Sequence, residues 1–154
     1  MSRRKKNIKK KLFFDIKYGS SEIEYLINLV MKNGKKSLAR RIVYNSLDSV
    51  SATLNTTQLL VLEQVLQNTK PNLEVKSKRV VGNTYQVPVE ISLKRQLTLA
   101  FKWLIFYARK RKKGMVPSLT EELLAAYNNT GSVVKKKEEV YKVAQANKAF
   151  SHLK

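Results

Sequence analysis

The sequence has no cysteine and a single histidine, His152. Disulfides and thiolate metal sites are therefore excluded, and so is any zinc centre built on more than one histidine. Prolines number three and glycines five, too few for a loop-rich or collagen-like chain. No apolar run reaches the ~18 residues needed to cross a bilayer. The best one, Leu97 to Ala108, is broken by Lys102. The deepest shortage is of acid: Asp and Glu total 11 against 31 Lys and Arg, a formal net charge of +20 over 154 residues. So large an imbalance repels itself unless a polyanion neutralises it. Nucleic acid is the first such partner and an anionic membrane surface the second. The length suits one domain, with no internal repeat.

The chain opens on a cationic arm, SRRKKNIKKK at 2–11, without the apolar core of a signal peptide. Such an arm reads either as a solvated, disordered segment or as one that orders on RNA, and the net charge favours the second. Ser21 and Glu24 form a capping-box pattern for a first helix carrying Ile23, Leu26, Ile27, Val30 and Met31 on one face. Asn33-Gly34 ends it. Lys35-Lys36 opens a second helix with Leu38, Ile42, Val43, Leu47, Val50 and Leu54 inward. Two cations in a first turn oppose the helix dipole, which a bound phosphate would offset. Thr56 or Thr57 caps a third helix, with Leu59, Leu62, Val65 and Leu66 inward, and Pro71 stops it.

The period then changes. Glu74 to Val81 and Tyr85 to Ile91 alternate around Gly82-Asn83, which reads as a β-hairpin at about 73–91. Matching apolar faces across the strands favours a three-residue loop, Gly82 to Thr84, with Val75 opposite Ile91 and Lys76 opposite Glu90. Pro88 donates no ladder bond. From Leu93 the period is helical, with Leu93, Leu97, Ala100, Phe101, Leu104, Ile105 and Ala108 on one face. Arg95, Lys102 and Arg109 recur every seven residues beside that face and run into the cations Arg109 to Lys113. Phe101, Trp103, Phe106 and Tyr107 are read as core, and Tyr85 as the better candidate to stack on a base. Ser118 and Glu121 repeat the capping-box pattern for a fifth helix, Leu119 to Asn128. Gly131-Ser132 opens a sixth, running to about Phe150. Within it Lys135, Lys136 and Lys137 precede Glu138 and Glu139, close enough for i,i+3 pairing. Ala144, Ala146 and Ala149 make a small-residue surface.

From Pro71, P-x-L-E-V-K-S-K-R-V-x-G-x-T-Y-Q-V-P-V-E-I, then R-x-x-x-L-A-x-x-W-L from Arg95, resembles the bacterial-type small-subunit ribosomal protein number seven family. Asn33 to Ser37 (N-G-K-K-S) and Val134 to His152 resemble it too, so the likeness runs from about Tyr18 onward. The family usually has Gly-Gly where this chain has Val81-Gly82. The resemblance implies a mainly α single domain of six helices at 18–154, a β-hairpin between the third and fourth, and an arm at 1–17. It implies a structural role without cofactor: binding the 3′ major domain of small-subunit rRNA and helping to assemble the subunit head. Exit-site tRNA, the mRNA path and ribosomal protein number eleven would lie nearby. The residues assigned to RNA are Arg3, Arg4, Lys5, Lys6 and Lys10 in the arm and Lys35 and Lys36 at the second helix. Lys76, Lys78, Arg79, Tyr85 and Gln86 follow in the hairpin. Arg95, Lys102, Arg109, Arg111, Lys112 and Lys113 follow on the fourth helix and beyond it, and Lys135 and Lys136 on the sixth.

The rival from another class is an enzyme using Glu121/Glu122 or Glu138/Glu139. Adjacent helical residues diverge by about 100 degrees, so neither pair faces one site. A different basic RNA-binding protein and a membrane-surface helical protein are the further alternatives. Lys exceeds Arg and Asn is common, which suits an AT-rich genome. With the M-S-R-R start and no transit peptide, the chain resembles plastid-encoded members of the family, a bacterial cytoplasm being the other compartment.

Overall fold

The computed structural model describes residues 13–80 and 82–153. The arm residues Arg3, Arg4, Lys5, Lys6 and Lys10, and Val81, lie outside the described residues. Six helices run α1 Ser21–Val30, α2 Lys36–Leu54, α3 Gln58–Thr69, α4 Leu93–Lys110, α5 Met115–Tyr127 and α6 Gly131–Ala146. A hairpin of β1 Leu73–Val80 and β2 Asn83–Glu90 stands between α3 and α4, and a 3-10 helix, Lys148–Leu153, closes the described chain. The sixth helix therefore ends at Ala146, short of the expected Phe150.

The core is what the 3.6-residue spacing requires. Ile23, Leu26 and Ile27 of α1 meet Val43, Leu47 and Val50 of α2, Val61, Leu62, Val65 and Leu66 of α3, Phe101 and Leu104 of α4, and Leu119 and Leu123 of α5 in one buried cluster. Three apolar residues expected inward are exposed instead: Leu38 and Leu59 sit in helix first turns at the rim, and Leu93 is 77% exposed. Phe106, also read as core, is 60% exposed. It follows Phe101 by five residues and so points off the buried face.

Both capping boxes are displaced. The cap of α1 is Ser20, whose Oγ accepts from the Ile23 amide at 3.4 Å. That places Glu24 within the helix and buries it. α5 begins at Met115 after Gly114, with Pro117 in the first turn, where its missing N–H needs no partner. Ser118 is inside the helix and donates to the Lys113 carbonyl. Gly131 opens α6 at φ +88°, and a Cβ there would meet the Ala125 Cβ at 2.8 Å, so only glycine fits this turn.

The hairpin register differs from the expected one. Val80 pairs with Asn83, Lys76 with Val87, Val75 with Pro88 and Leu73 with Glu90. The loop is thus two residues, 81–82, with Gly82 at φ +84°. Lys76 does not face Glu90, and Val75 does not face Ile91. The reason is that the ribbon's apolar side chains are not buried against each other. β2 packs on the 3-10 helix and β1 on α6. Val87 is 1% exposed there, and the Tyr85 ring lies 4.9 Å from that of Phe150. Packing from outside the ribbon sets the register. The base is clamped by the Ile91 amide donating to the Asn72 carbonyl at 3.2 Å and the Asn72 amide donating to the Tyr141 hydroxyl at 3.0 Å.

Candidate nucleic-acid interface

Charges that look interchangeable in the sequence divide into two classes in the structure. One class is held by internal partners. Lys36 forms an ion pair with buried Glu24, so it joins α2 to α1 and does not present a bare charge at the α2 N-terminus. Arg95 donates through Nε and Nη2 to Glu74 Oε2 at 3.2 and 3.0 Å, and Lys76 lies 3.2 Å from the other carboxylate oxygen. Burial would raise the Glu74 carboxyl, but these two donors outweigh it and hold the group below its ordinary value. Arg111 is bound to both Glu121 and Glu122, the latter through Nε at 2.9 Å, and Lys113 to Glu121 at 2.6 Å. The hydrogen bond to Glu122 raises the Arg111 guanidinium further above its usual range. Glu121 and Glu122, the rival acid–base pair, are thus the ion partners that fasten the α4–α5 corner. Lys136 pairs with Glu139 at 3.0 Å, as the i,i+3 spacing allows.

Two further residues with internal partners were missed in the sequence. Lys137 donates to the Asn68 carbonyl at 2.8 Å, and its burial lowers its pKa. Asp15, which the sequence placed in the arm, is 3% exposed. It accepts from the amides of Lys17 and Tyr18 at 3.1 and 3.0 Å and from the Tyr44 hydroxyl. Burial and this hydrogen bond push Tyr44 up to about 12. Asp48 gathers Tyr18, Lys17 and Gln58 at 2.7, 3.0 and 3.0 Å. This cluster pins residues 15–18 to α2. The sequence signal was an acid isolated among cations, Asp15.

In the second class are exposed cations, and one group of them gathers along α4 and at the α1–α2 turn. An open groove along α4 is lined by Leu29, Lys102, Ile105, Phe106, Arg109 and Lys110. A second groove, at the α1–α2 turn, is lined in part by Lys32, Asn33, Lys35 and Leu38, and again by Arg109. Arg109 belongs to both, and its Nη2 donates to the Val30 carbonyl at 3.2 Å, which fixes the guanidinium between them. The structure therefore joins Lys35 to the Lys102–Arg109 stripe, residues 67 or more apart in sequence. Lys32 and Lys110 complete that surface and were not among the assigned residues. The spacing Lys102, Phe106, Lys110 was the signal for Lys110. Lys112 is exposed just past the end of α4.

The hairpin's assigned residues split by face. Arg79 and Gln86 are exposed on the side shared with Ser77 and Thr84. Lys76 and Lys78 share the other side with Tyr85 and Val87. Tyr85, the stacking candidate of the sequence, is half-buried, and its ring lies 4.9 Å from that of Phe150. Lys135 is exposed on α6, directly after buried Val133 and Val134. Among the described residues no acid or histidine cluster could hold a metal, and no helix is long and apolar enough to cross a membrane.

Comparison with known proteins agrees with this architecture. The family model described as ribosomal protein S7p/S5e matches residues 2–148. A protein of Chloroflexus aggregans named small ribosomal subunit protein uS7 is 52% identical over 139 residues, 90% of this chain and 88% of that one. Proteins of the same name from Methylococcus capsulatus and Borrelia garinii are 46% and 47% identical, each over 99% of this chain and 98% of their own. Identity this high over nine-tenths or more of the chain leaves one assignment: the chain belongs to the ribosomal protein S7p/S5e family.

Proposed function

We propose that the chain is a structural constituent of the small ribosomal subunit that binds rRNA and neighbouring small-subunit proteins, without catalysis. The observation that carries this reading is that the family match, residues 2–148, runs through the entire cationic side of a +20 chain. Lys and Arg neutralise phosphates, and the fixed relation of α4, the α1–α2 turn and the hairpin selects an RNA shape. The RNA is the 3′ major domain of small-subunit rRNA, and binding it organises the head. Lys32, Lys35, Lys102, Arg109, Lys110 and Lys112 make the main phosphate contacts. Arg79 and Gln86 make those of the hairpin, and Arg3, Arg4, Lys5, Lys6 and Lys10 those of the arm. The hairpin tip lies near exit-site tRNA and the mRNA path, with ribosomal protein number eleven beside it.

Crosslinking the assembled chain to RNA and identifying the joined nucleotides tests this. Crosslinks from α4 and the α1–α2 turn are expected within the 3′ major domain; crosslinks confined to another domain would overturn the assignment. For the compartment, the excess of Lys over Arg and the Asn content support a plastid ribosome. The matched relatives above are bacterial, which supports a bacterial ribosome equally in kind. Whether the gene lies in a plastid or a bacterial genome decides between them.

A further inference from the structure

We propose that the Phe106 ring is a stacking platform for one unpaired base of the bound RNA, with the phosphates on either side held by Lys102, Arg109 and Lys110. The inference rests on the rRNA-binding reading and adds a base contact to what is otherwise a set of phosphate contacts. Phe106 is 60% exposed in the middle of α4 and lines an open groove. Lys102 and Lys110 stand four residues to either side of it and Arg109 three residues on, so all three share its helix face. Single exposed apolar residues are ordinary on a protein surface. A ring in a groove among three cations is a different arrangement, because each end of its surroundings attracts a phosphate. Tyr107 meets the Phe106 ring edge-to-face at 5.2 Å with an interplanar angle of 81°. That contact fixes the ring's orientation and leaves at least one face uncovered by Tyr107. Leu29 and Ile105 supply apolar walls against the edge of a base.

The cationic rim is what favours RNA over a protein partner, whose apolar contact would not need a ring of positive charge. Stacking is tolerant of base identity, so this site positions an extruded nucleotide more than it reads sequence. The ring is outside the buried cluster, so its replacement leaves the fold intact.

The test measures affinity for a 3′-major-domain rRNA fragment across a salt series. Phe106→Ala should weaken binding by about 5- to 150-fold, the range for losing one base–aromatic stack. Its log K against log salt slope should stay that of the unaltered chain, because no charge is removed. Phe106→Tyr should restore the affinity and Phe106→Leu should not. Lys102→Gln should instead reduce the slope by about 1. Ultraviolet irradiation should join Phe106 to a single nucleotide. Alanine with unchanged affinity overturns the proposal. So does leucine equal to phenylalanine, which would mark a plain apolar contact such as a protein partner makes. So does an altered salt slope in the alanine variant, which would mean that the ring merely arranges the cations. If the unaltered chain fails to bind the fragment, the rRNA reading itself falls and the stacking with it.

Discussion

At the scale of single residues, the informative result is which cations are already engaged. Lys35 and Lys36 are adjacent and identical, yet they lie in different environments. Lys36 neutralises Glu24, a carboxylate that is 4% exposed and whose Oε2 has no hydrogen-bond partner among the described residues. Lys35 is exposed in the groove shared with Arg109. Lys36→Gln should therefore destabilise the fold by about 1–3 kcal/mol, because it leaves a buried acid without its cation. Lys35→Gln should leave the unfolding free energy within about 0.5 kcal/mol of the starting value. RNA affinity should respond in the opposite order, with Lys35→Gln the more damaging. Paired urea melts and binding curves check this, and equal effects of both substitutions on both quantities would contradict it. The sequence showed two lysines at a helix start and nothing to separate them. The acid that does so stands 12 residues earlier, on another helix.

At the scale of elements, the helices were legible and the ribbon's register was not. Ile23, Leu26, Ile27 and Val30 announce a helix by local spacing, and the structure buries all four. The register of β1 and β2 is decided by the 3-10 helix at Lys148–Leu153, whose packing on β2 no reading of residues 73–91 contains. Smaller separations, of 11 and 21 residues, also hid the Arg111–Glu122 and Arg95–Glu74 ion pairs. The latter fastens the hairpin base to α4, and its pH dependence follows from the sign of the shift. The folded Glu74 carboxyl titrates below the ordinary value of 4.5. On acidification the unfolded chain takes up this proton first, so the contribution of Glu74 is complete above 4.5 and lost as pH falls through the folded value. The melting temperature of the unaltered chain should exceed that of Glu74→Gln from about pH 8 to about pH 5, and the gap should narrow below ~4.5. A gap independent of pH would mean that the charge of Glu74 is not what holds the ribbon. The ribbon itself stays separable from the main core, since Val87 is buried outside the central cluster. Replacing residues 76–88 with a short Gly/Ser turn should keep the helical circular dichroism and a cooperative melt, because loop closure between α3 and α4 depends only weakly on length. It should also loosen the 3-10 helix, which loses Tyr85 and Val87. Faster amide exchange there, with α1 to α5 still protected, is the expected pattern; loss of the helical signal would place the ribbon in the core.

At the scale of the molecule, thirty-one cations and eleven acids leave a net +20 that no internal arrangement removes. Eight ion pairs occur among the described residues, and they join six acids to seven cations: Glu74 and Glu121 each serve two cations, and Arg111 serves two acids. Every acid used twice holds two cations in place without adding negative charge. The fold thus spends its few carboxylates at the seams, at α1–α2, α4–α5 and the hairpin base, and leaves the groove side of α4 cationic. Free in solution, that surface is solvated by counterions; on RNA it releases them. If about 6 phosphates are neutralised, log K should fall with log salt at a slope of about −4 to −5. The location of those contacts can be tested along with their number. Replacing Lys102, Lys110 and Lys112 together with Gln should flatten the slope by about 3 while moving the melting temperature little, since exposed charges contribute little to folding. Replacing Arg95, Arg111 and Lys113 with Gln removes the same formal charge, but it should lower the melting temperature more than it changes the slope, because those three are committed to Glu74, Glu121 and Glu122. Equal flattening by the two triple variants would show that net charge alone governs association and that the division of cations between seams and groove has no bearing on RNA binding.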